Sequence, residues 1–240
     1  MSAQRVLATA FLSSLLQLVL TGSAWADLTK GPYVGLEGGM AWDFSYPSGC
    51  YYYYYYNNCS GSTYNAVSYN LGYSASAQVG YSFGGPRVEF EYNYRDNNAS
   101  TIGTTAGTQS AAGTLTSSAY LVNVLYDFDT GSKWIPYVGL GLGMAQVKSN
   151  NIHSTSPTIP GSFQDGSSND FAGQFIVGVE YAVSERVGVT LDWRGLWAYD
   201  TTYNYGIGCT PGGTTNCSVS GTTSYYYWNG ALNLGVRIKF

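Results

Sequence analysis

Charge is scarce in this chain: only 10% of its 240 residues are Asp, Glu, Lys or Arg, and the 14 acids outnumber the 10 bases. Such a balance offers no basic surface for nucleic acid. Histidine occurs once, at His153, and cysteine four times, with no C-x-x-C or H-x-x-x-H spacing. Clustered zinc-type ligands are thereby missing, so no metal and no cofactor is expected. Proline is sparse, at 7 residues against 31 glycines, which suits many strands joined by polar loops. Beyond the N-terminus no apolar run reaches the roughly 20 residues of a spanning helix. With 16% aromatic residues, the chain is expected to be all-β, either a soluble fold or a membrane β-barrel.

The N-terminus has the three parts of an export signal: Arg5, a mostly apolar stretch from Val6 to Leu20, and Ala24-Trp25-Ala26 before Asp27. A transmembrane helix is the alternative, but Ser13, Ser14 and Gln17 interrupt a stretch already too short to cross a bilayer. We therefore expect residues 1–26 to be a removed signal peptide and residues 27–240 to form one barrel domain. Cysteines in an exported protein suggest disulfides.

From Asn70 to Phe83 the sequence alternates strictly. Leu71, Tyr73, Ala75, Ala77, Val79, Tyr81 and Phe83 share one face, and small or polar residues share the other. Arg87 to Arg95 repeats the pattern after a tight Gly84-Gly85-Pro86 turn. Similar segments lie near Pro32 to Trp42, Ser118 to Phe128, Trp134 to Val147, Phe171 to Val183, Val187 to Tyr199 and Tyr225 to Phe240. Their connections are alternately long (45–69, 96–117, 148–170, 200–224) and short (84–86, 129–133, 184–186). This rhythm predicts an eight-stranded antiparallel up-and-down transmembrane barrel with four long extracellular loops and short periplasmic turns.

Charge orients the strands. Glu37, Arg87, Glu89, Glu91, Arg95, Asp127, Glu180, Asp192, Arg194, Arg237 and Lys239 all fall on the polar parity, and the opposite parity carries no charge. A base facing the bilayer midplane costs about 2–4 kcal/mol, so the clean face is expected to meet lipid. A lipocalin-like barrel would reverse the faces. Trp42, Tyr73, Tyr81, Phe83, Tyr126, Phe128, Tyr181, Trp197, Tyr199, Trp228 and Phe240 oppose that reversal, because they cap the apolar stripes where two interfacial girdles belong. The inward charges are expected to form a paired network filling a lumen just wide enough for side chains.

The terminal GALNLGVRIKF, alternating into Phe240, resembles the C-terminal strand signal of outer-membrane proteins. Gly31-Pro32-Tyr33-Val34-Gly35 and Pro136-Tyr137-Val138-Gly139, each opening a strand, are similar to the OmpA-like, OmpX-like and opacity-protein-like β-barrel family. The resemblance implies an outer-membrane location in a Gram-negative bacterium, with Phe240 read by the barrel assembly machinery.

Two features remain for function. Cys50 and Cys59 flank Tyr51, Tyr52, Tyr53, Tyr54, Tyr55 and Tyr56 in the first long loop, and Cys209 and Cys217 lie in the fourth. Local pairing within each loop is favoured by short loop closure, while cross-pairing remains open because barrel closure makes these loops neighbours. The tyrosine run, together with Tyr203, Tyr205 and Tyr225 to Tyr227, is a candidate contact surface at the mouth, since tyrosine offers rigid area with a water-tolerant hydroxyl. Extending the outer girdle is its structural alternative. His153 beside Ser154 in a polar loop gives little assurance of a catalytic geometry, so no catalytic residue is assigned. The expected function is a non-enzymatic surface protein that displays loops as an adhesin or antigen and supports envelope integrity. A narrow ion-conducting channel is the alternative, and a lipid A-modifying enzyme comes third. Expected partners are outer-membrane lipids, the assembly machinery and a host or cell-surface ligand, with a monomer favoured.

Overall fold

Alternating side chains let each strand present lipid with one face and the interior with the other, and the backbone closes on itself. The computed structural model describes residues 29–44, 67–104, 107–155, 161–209 and 219–240. In it run β1 (Gly31–Asp43), β2 (Val67–Tyr69), β3 (Gly72–Ser82), β4 (Pro86–Thr104), β5 (Gly107–Asp127), β6 (Trp134–Ser154), β7 (Gly161–Ala182), β8 (Val187–Cys209) and β9 (Val219–Lys239). All pairs are antiparallel, and β1 bonds to both β3 and β9, so the sheet is a closed ring. The three-residue β2 adds no wall of its own. It follows β3's track along β4, with Tyr69 opposite Ala99 where β3 has Tyr73 opposite Asp96. The ring therefore has eight walls, and closure leaves no edge to desolvate in lipid.

Three tight turns close one end. Gly84 and Gly85 take φ of 84° and 130° between β3 and β4, where Phe83 N donates to Pro86 O at 2.8 Å. Asp129 accepts from Gly131 N at 2.9 Å between β5 and β6, and Ser184 Oγ accepts from Val187 N at 3.1 Å between β7 and β8.

At the other end the strands run further than the alternation predicts. β5 begins at Gly107 rather than near Ser118, and β6 continues to Ser154. β7 starts at Gly161, β8 extends to Cys209, and β9 starts at Val219. Three of the four long connections, 96–117, 148–170 and 200–224, are thus largely tall hairpins over the described residues. The reason lies in the surroundings: past the bilayer the outward positions become Ser118, Thr116 and Thr114 on β5 and Gln146, Lys148 and Asn150 on β6. Water there removes the apolar half of the pattern, while the ladder of hydrogen bonds needs no such pattern to continue.

Outward residues between the ends are apolar and exposed, among them Leu36, Val79, Leu140, Val177, Leu191 and Leu234. Aromatic pairs bound this band. Tyr81 with Phe83 (4.8 Å), Tyr126 with Phe128 (5.1 Å) and Trp134 with Tyr181 (4.8 Å) ring the turn end. Tyr73 with Tyr94 (6.1 Å), Trp197 with Trp228 (6.1 Å) and Tyr199 with Tyr226 (5.2 Å) ring the other.

Residues 1–26, Cys50, Tyr51 to Tyr56, Cys59 and Cys217 lie outside the described residues; Cys209 is the last residue of β8. One member of the expected mouth cluster is placed elsewhere. Tyr227 points inward, buried, with its hydroxyl on Ser117 Oγ at 3.0 Å, because its parity on β9 is that of Asn229 and Asn233.

Replacing outward Leu191 with Arg should destabilise the barrel by about 2–4 kcal/mol in reversible unfolding from lipid vesicles. Arg at inward Gln174 should cost less, since Glu91 stands 2.7 Å from that side chain. Equal costs at the two positions would contradict the assignment of faces.

Candidate functional site

Every charged residue on the inward parity enters one stacked interior. The eleven assigned from the sequence are all buried except Lys239, which, like Asp43 and Asp170 at the outer end, is half-buried. Small inward residues make this possible: a methyl group at Gly80 would meet Tyr33 Cζ at 2.6 Å, one at Gly178 would meet Tyr137 Cζ at 2.6 Å, and one at Gly235 would meet Glu37 Cγ at 2.3 Å. Each large polar side chain lies across a neighbour that has none.

Nearest the turns, Arg87 and Arg237 share the rings of Tyr33 and Tyr137. The Arg87 guanidinium carbon is 5.5 and 4.8 Å from the two ring centres, and that of Arg237 is 5.2 and 5.3 Å away. Asp127 approaches Arg87 at 3.2 Å. Glu180 takes both Arg237 and Lys239, the latter at 2.8 Å, and so ties β9 to β7 across β8.

The tyrosine hydroxyls point the other way along the axis and join this layer to the next. Tyr33 donates to Glu89 at 2.6 Å and Tyr137 to Asp192 at 2.8 Å. There Arg194 sits among four carboxylates: Glu91 at 2.6 Å, Glu37 at 2.8 Å, Asp192 at 3.0 Å and Glu89 at 3.7 Å. Asn123 donates to Glu89 (3.0 Å) and Glu91 (2.6 Å), and Gln174 donates to Glu91 (2.7 Å). Buried ions persist only when paired and hydrogen-bonded in this way. Arg95 lies one layer further out and is held by neutral acceptors, Asn93 Oδ1 at 2.8 Å and Asn229 O at 2.5 Å.

Above Arg95 the interior changes character. Leu115, Ala119, Leu121, Ala145, Val147, Ala172, Leu196, Ala198 and Tyr227 form a buried apolar cluster, followed outward by Val67, Ala99, Ile102 and Ile152. The inward face is thus mixed rather than uniformly polar: Leu125, Tyr137 and Ile176 are buried together in the turn half, and Asn97, Ser117 and Ser149 are buried beside the outer clusters. Sequence reasoning passed over these inward apolar residues although Leu121, Leu125, Ile176 and Leu196 share the parity of the charges on their own strands. The physical reason is closure: inward side chains of a narrow barrel touch one another, so apolar ones are buried as fully there as in any core.

His153 lies at the outer end of β6, not in an open loop, and its Nδ1 donates to the Asn151 carbonyl at 2.8 Å. Among the described residues no three His, Cys, Asp or Glu side chains are placed to hold a metal ion.

A closed eight-walled barrel with a lipid-facing apolar band, two aromatic girdles and an ionic interior defines a bacterial outer-membrane β-barrel. The family model of the outer membrane protein beta-barrel domain matches residues 12–240, and the chain belongs to that family. It is an outer-membrane protein. It is 31% identical to an outer membrane protein of Gluconacetobacter diazotrophicus over 77% of this chain and 50% of the relative. It is 34% identical to the outer membrane protein PagN of Salmonella typhimurium over 32% of each chain. The chain thus spans half or less of the length of these relatives. The fold is also that of Neisserial surface protein A (TM-score 0.52, 17% identity, 88% of this chain and 97% of that one). The outer membrane protein OprG of Pseudomonas aeruginosa shares it as well (TM-score 0.57, 13% identity, 90% and 100%).

Replacing Arg194 with Met leaves four carboxylates without their shared cation and should cost about 3–5 kcal/mol in unfolding free energy. Adding Glu91→Gln should recover part of that loss. A double variant that is as unstable as the sum of the two single ones would show that the pair is not coupled.

Proposed function

We propose that this barrel is a non-enzymatic surface protein whose tall outer hairpins present contact surfaces, for adhesion or as an antigen, while its filled lumen contributes to envelope integrity. The observation that carries this reading is the continuation of the wall past the outer girdle, with a polar outside and an apolar inside. At ~3.3 Å per residue and a tilt of ~40°, the stretch of β5 from Tyr120 back to Gly107 reaches roughly 30 Å beyond the girdle. Val67, Ile102 and Ile152 pack within that extension, so it has a core of its own that stiffens it. A stiff projection suits recognition, because less order must be imposed on binding.

A conducting lumen is the weaker reading. An ion leaving the carboxylates around Arg194 would next meet the buried Arg95 guanidinium and then Leu115, Val147 and Leu196 packed beside Asn97, Ser117 and Asn229, an interior occupied by side chains. Enzymatic modification of lipid A is weaker still, since His153 stands at an exposed strand end with its Nδ1 on the Asn151 carbonyl and not on a carboxylate that would strengthen it as a base. The proposed partners are outer-membrane lipids around the apolar band, the assembly machinery at Phe240, and a host or cell-surface ligand at the outer end.

In planar bilayers the purified protein should give no single-channel steps above background. Serine at all of Tyr51 to Tyr56 should sharply reduce binding to cells while heat resistance of the barrel is kept, because aromatic anchors commonly dominate interface energy. Loss of heat resistance with binding retained would make the run a girdle rather than a contact surface. Deleting Phe240 should lower the amount of barrel in the outer membrane; normal levels would remove that residue from the assembly signal.

A further inference from the structure

The two strands of the last tall hairpin keep one register toward their outer ends. β8 opposes β9 through the pairs Tyr205 with Gly221, Gly206 with Ser220 and Ile207 with Val219. β8 itself continues two residues further, to Cys209, which is held on its other side against Gly161 of β7. Two residues before Val219 in the sequence stands Cys217. One pair per residue outward from Ile207 and Val219 therefore brings Gly208 against Ser218 and Cys209 against Cys217. The intervening TPGGTTN, residues 210–216, carries Pro211 beside Gly212 and Gly213, a composition suited to reversing the chain.

Opposition in an antiparallel ladder meets the demands of a disulfide. Directly opposed residues have Cα atoms about 4.5–5.5 Å apart and side chains on one face, inside the span of about 4.4–6.8 Å that a disulfide bridges. A shift of a single rung moves one sulfur to the opposite face of the wall. Register, and not the shortness of the connection alone, selects this partner. The chain reaches the outer membrane through an oxidising compartment, where such pairs form and persist.

We propose that Cys209 and Cys217 form a cross-strand disulfide that locks the outer end of the β8–β9 hairpin. The bond forms by thiol–disulfide exchange: the two sulfurs join, and their two protons and two electrons pass to the disulfide of a periplasmic thiol oxidoreductase, which becomes a dithiol. With this pair made, Cys50 and Cys59 are left to each other among the four cysteines. Tyr51 to Tyr56 then lie in a covalent ring of their own, untethered to the fourth connection, and the contact surface proposed above is constrained before it meets a ligand. Because Cys209 also pairs with Gly161, the bridge fixes the end of a three-stranded stretch of wall rather than an isolated tip.

The test uses the protein isolated from the outer membrane, with free thiols blocked by iodoacetamide, denatured without reduction and cut after lysine and arginine. Cys50 and Cys59 then fall within the fragment 31–87, and Cys209 and Cys217 within the fragment 195–237. Mass spectrometry should find 195–237 unlinked, unalkylated and lighter by two hydrogens than after reduction. A link from 195–237 to 31–87 or to a second copy overturns the pairing, as does alkylation of both its cysteines. The register is checked by moving the sulfurs. Gly208→Cys with Ser218→Cys, in a chain carrying Cys209→Ser and Cys217→Ser, should cross-link as fully as the native pair. Gly208→Cys with Cys209→Ser and Cys217 retained should leave both thiols open to alkylation; equal cross-linking in the two chains overturns the placement. If either variant fails to insert, the fragment map of the native chain decides alone. None of these readouts involves ligand binding, so their failure is separate from failure of the contact surface.

Discussion

Four carboxylates from three strands converge on the guanidinium of Arg194, and the rest of the barrel is arranged so that this meeting can occur without water. Glu37 reaches it from β1, Glu89 and Glu91 from β4, and Asp192 from its own strand, so one side chain ties together walls that are distant around the ring. In a medium of low dielectric such a contact is strong when complete and costly when broken. That asymmetry makes the interior specific: a strand in the wrong register would leave an ion alone. The glycines at 80, 178 and 235 belong to the same constraint, since the side chains that reach the centre need empty neighbours to lie across.

The lipid outside imposes the complementary demand. Each outward position between the girdles must be apolar, and each backbone group must bond to a neighbouring strand. Both are met by one alternating pattern, and it fails at a single height, just outside the ring of Tyr73, Tyr94, Trp197 and Trp228. Beyond it the outward face turns polar while the inward face gains apolar clusters among the buried Asn97, Ser149 and Ser154. The barrel therefore changes from a membrane object, apolar outside and polar within, to one built like a water-soluble protein. A projecting wall of that kind can carry recognition without disturbing the part that anchors it.

The inversion also bears on what the interior can transmit. Ionic layers lie in the half nearest the turns, around Leu125, Tyr137 and Ile176, and apolar side chains with a few buried amides and hydroxyls occupy the half nearest the surface. An interior packed with side chains along its length acts as a filling. The tyrosine hydroxyls that link Arg87's layer to Arg194's layer make the polar part a continuous network.

The sequence by itself determined the strands, their faces and their order. Period-two alternation is a local property, and the clean separation of Glu89, Glu91, Asp192 and Arg194 from Phe90, Leu191 and Trp193 needs no knowledge of the partner strand. The turns at Gly84, Gly131 and Ser184 were legible for the same reason, being short and local. Which charge meets which was not legible, because parity says that Arg194 and Arg87 both point inward but says nothing of their height or angle around the axis. Only closure of the ring decided that one receives four carboxylates and the other a pair of tyrosine faces. The tall hairpins were hidden for a related reason. Once water replaces lipid the alternation fades, and the ladder that keeps β5 and β6 paired from Ala111 and Ser154 downward is made of backbone bonds, which leave no mark on the residue sequence.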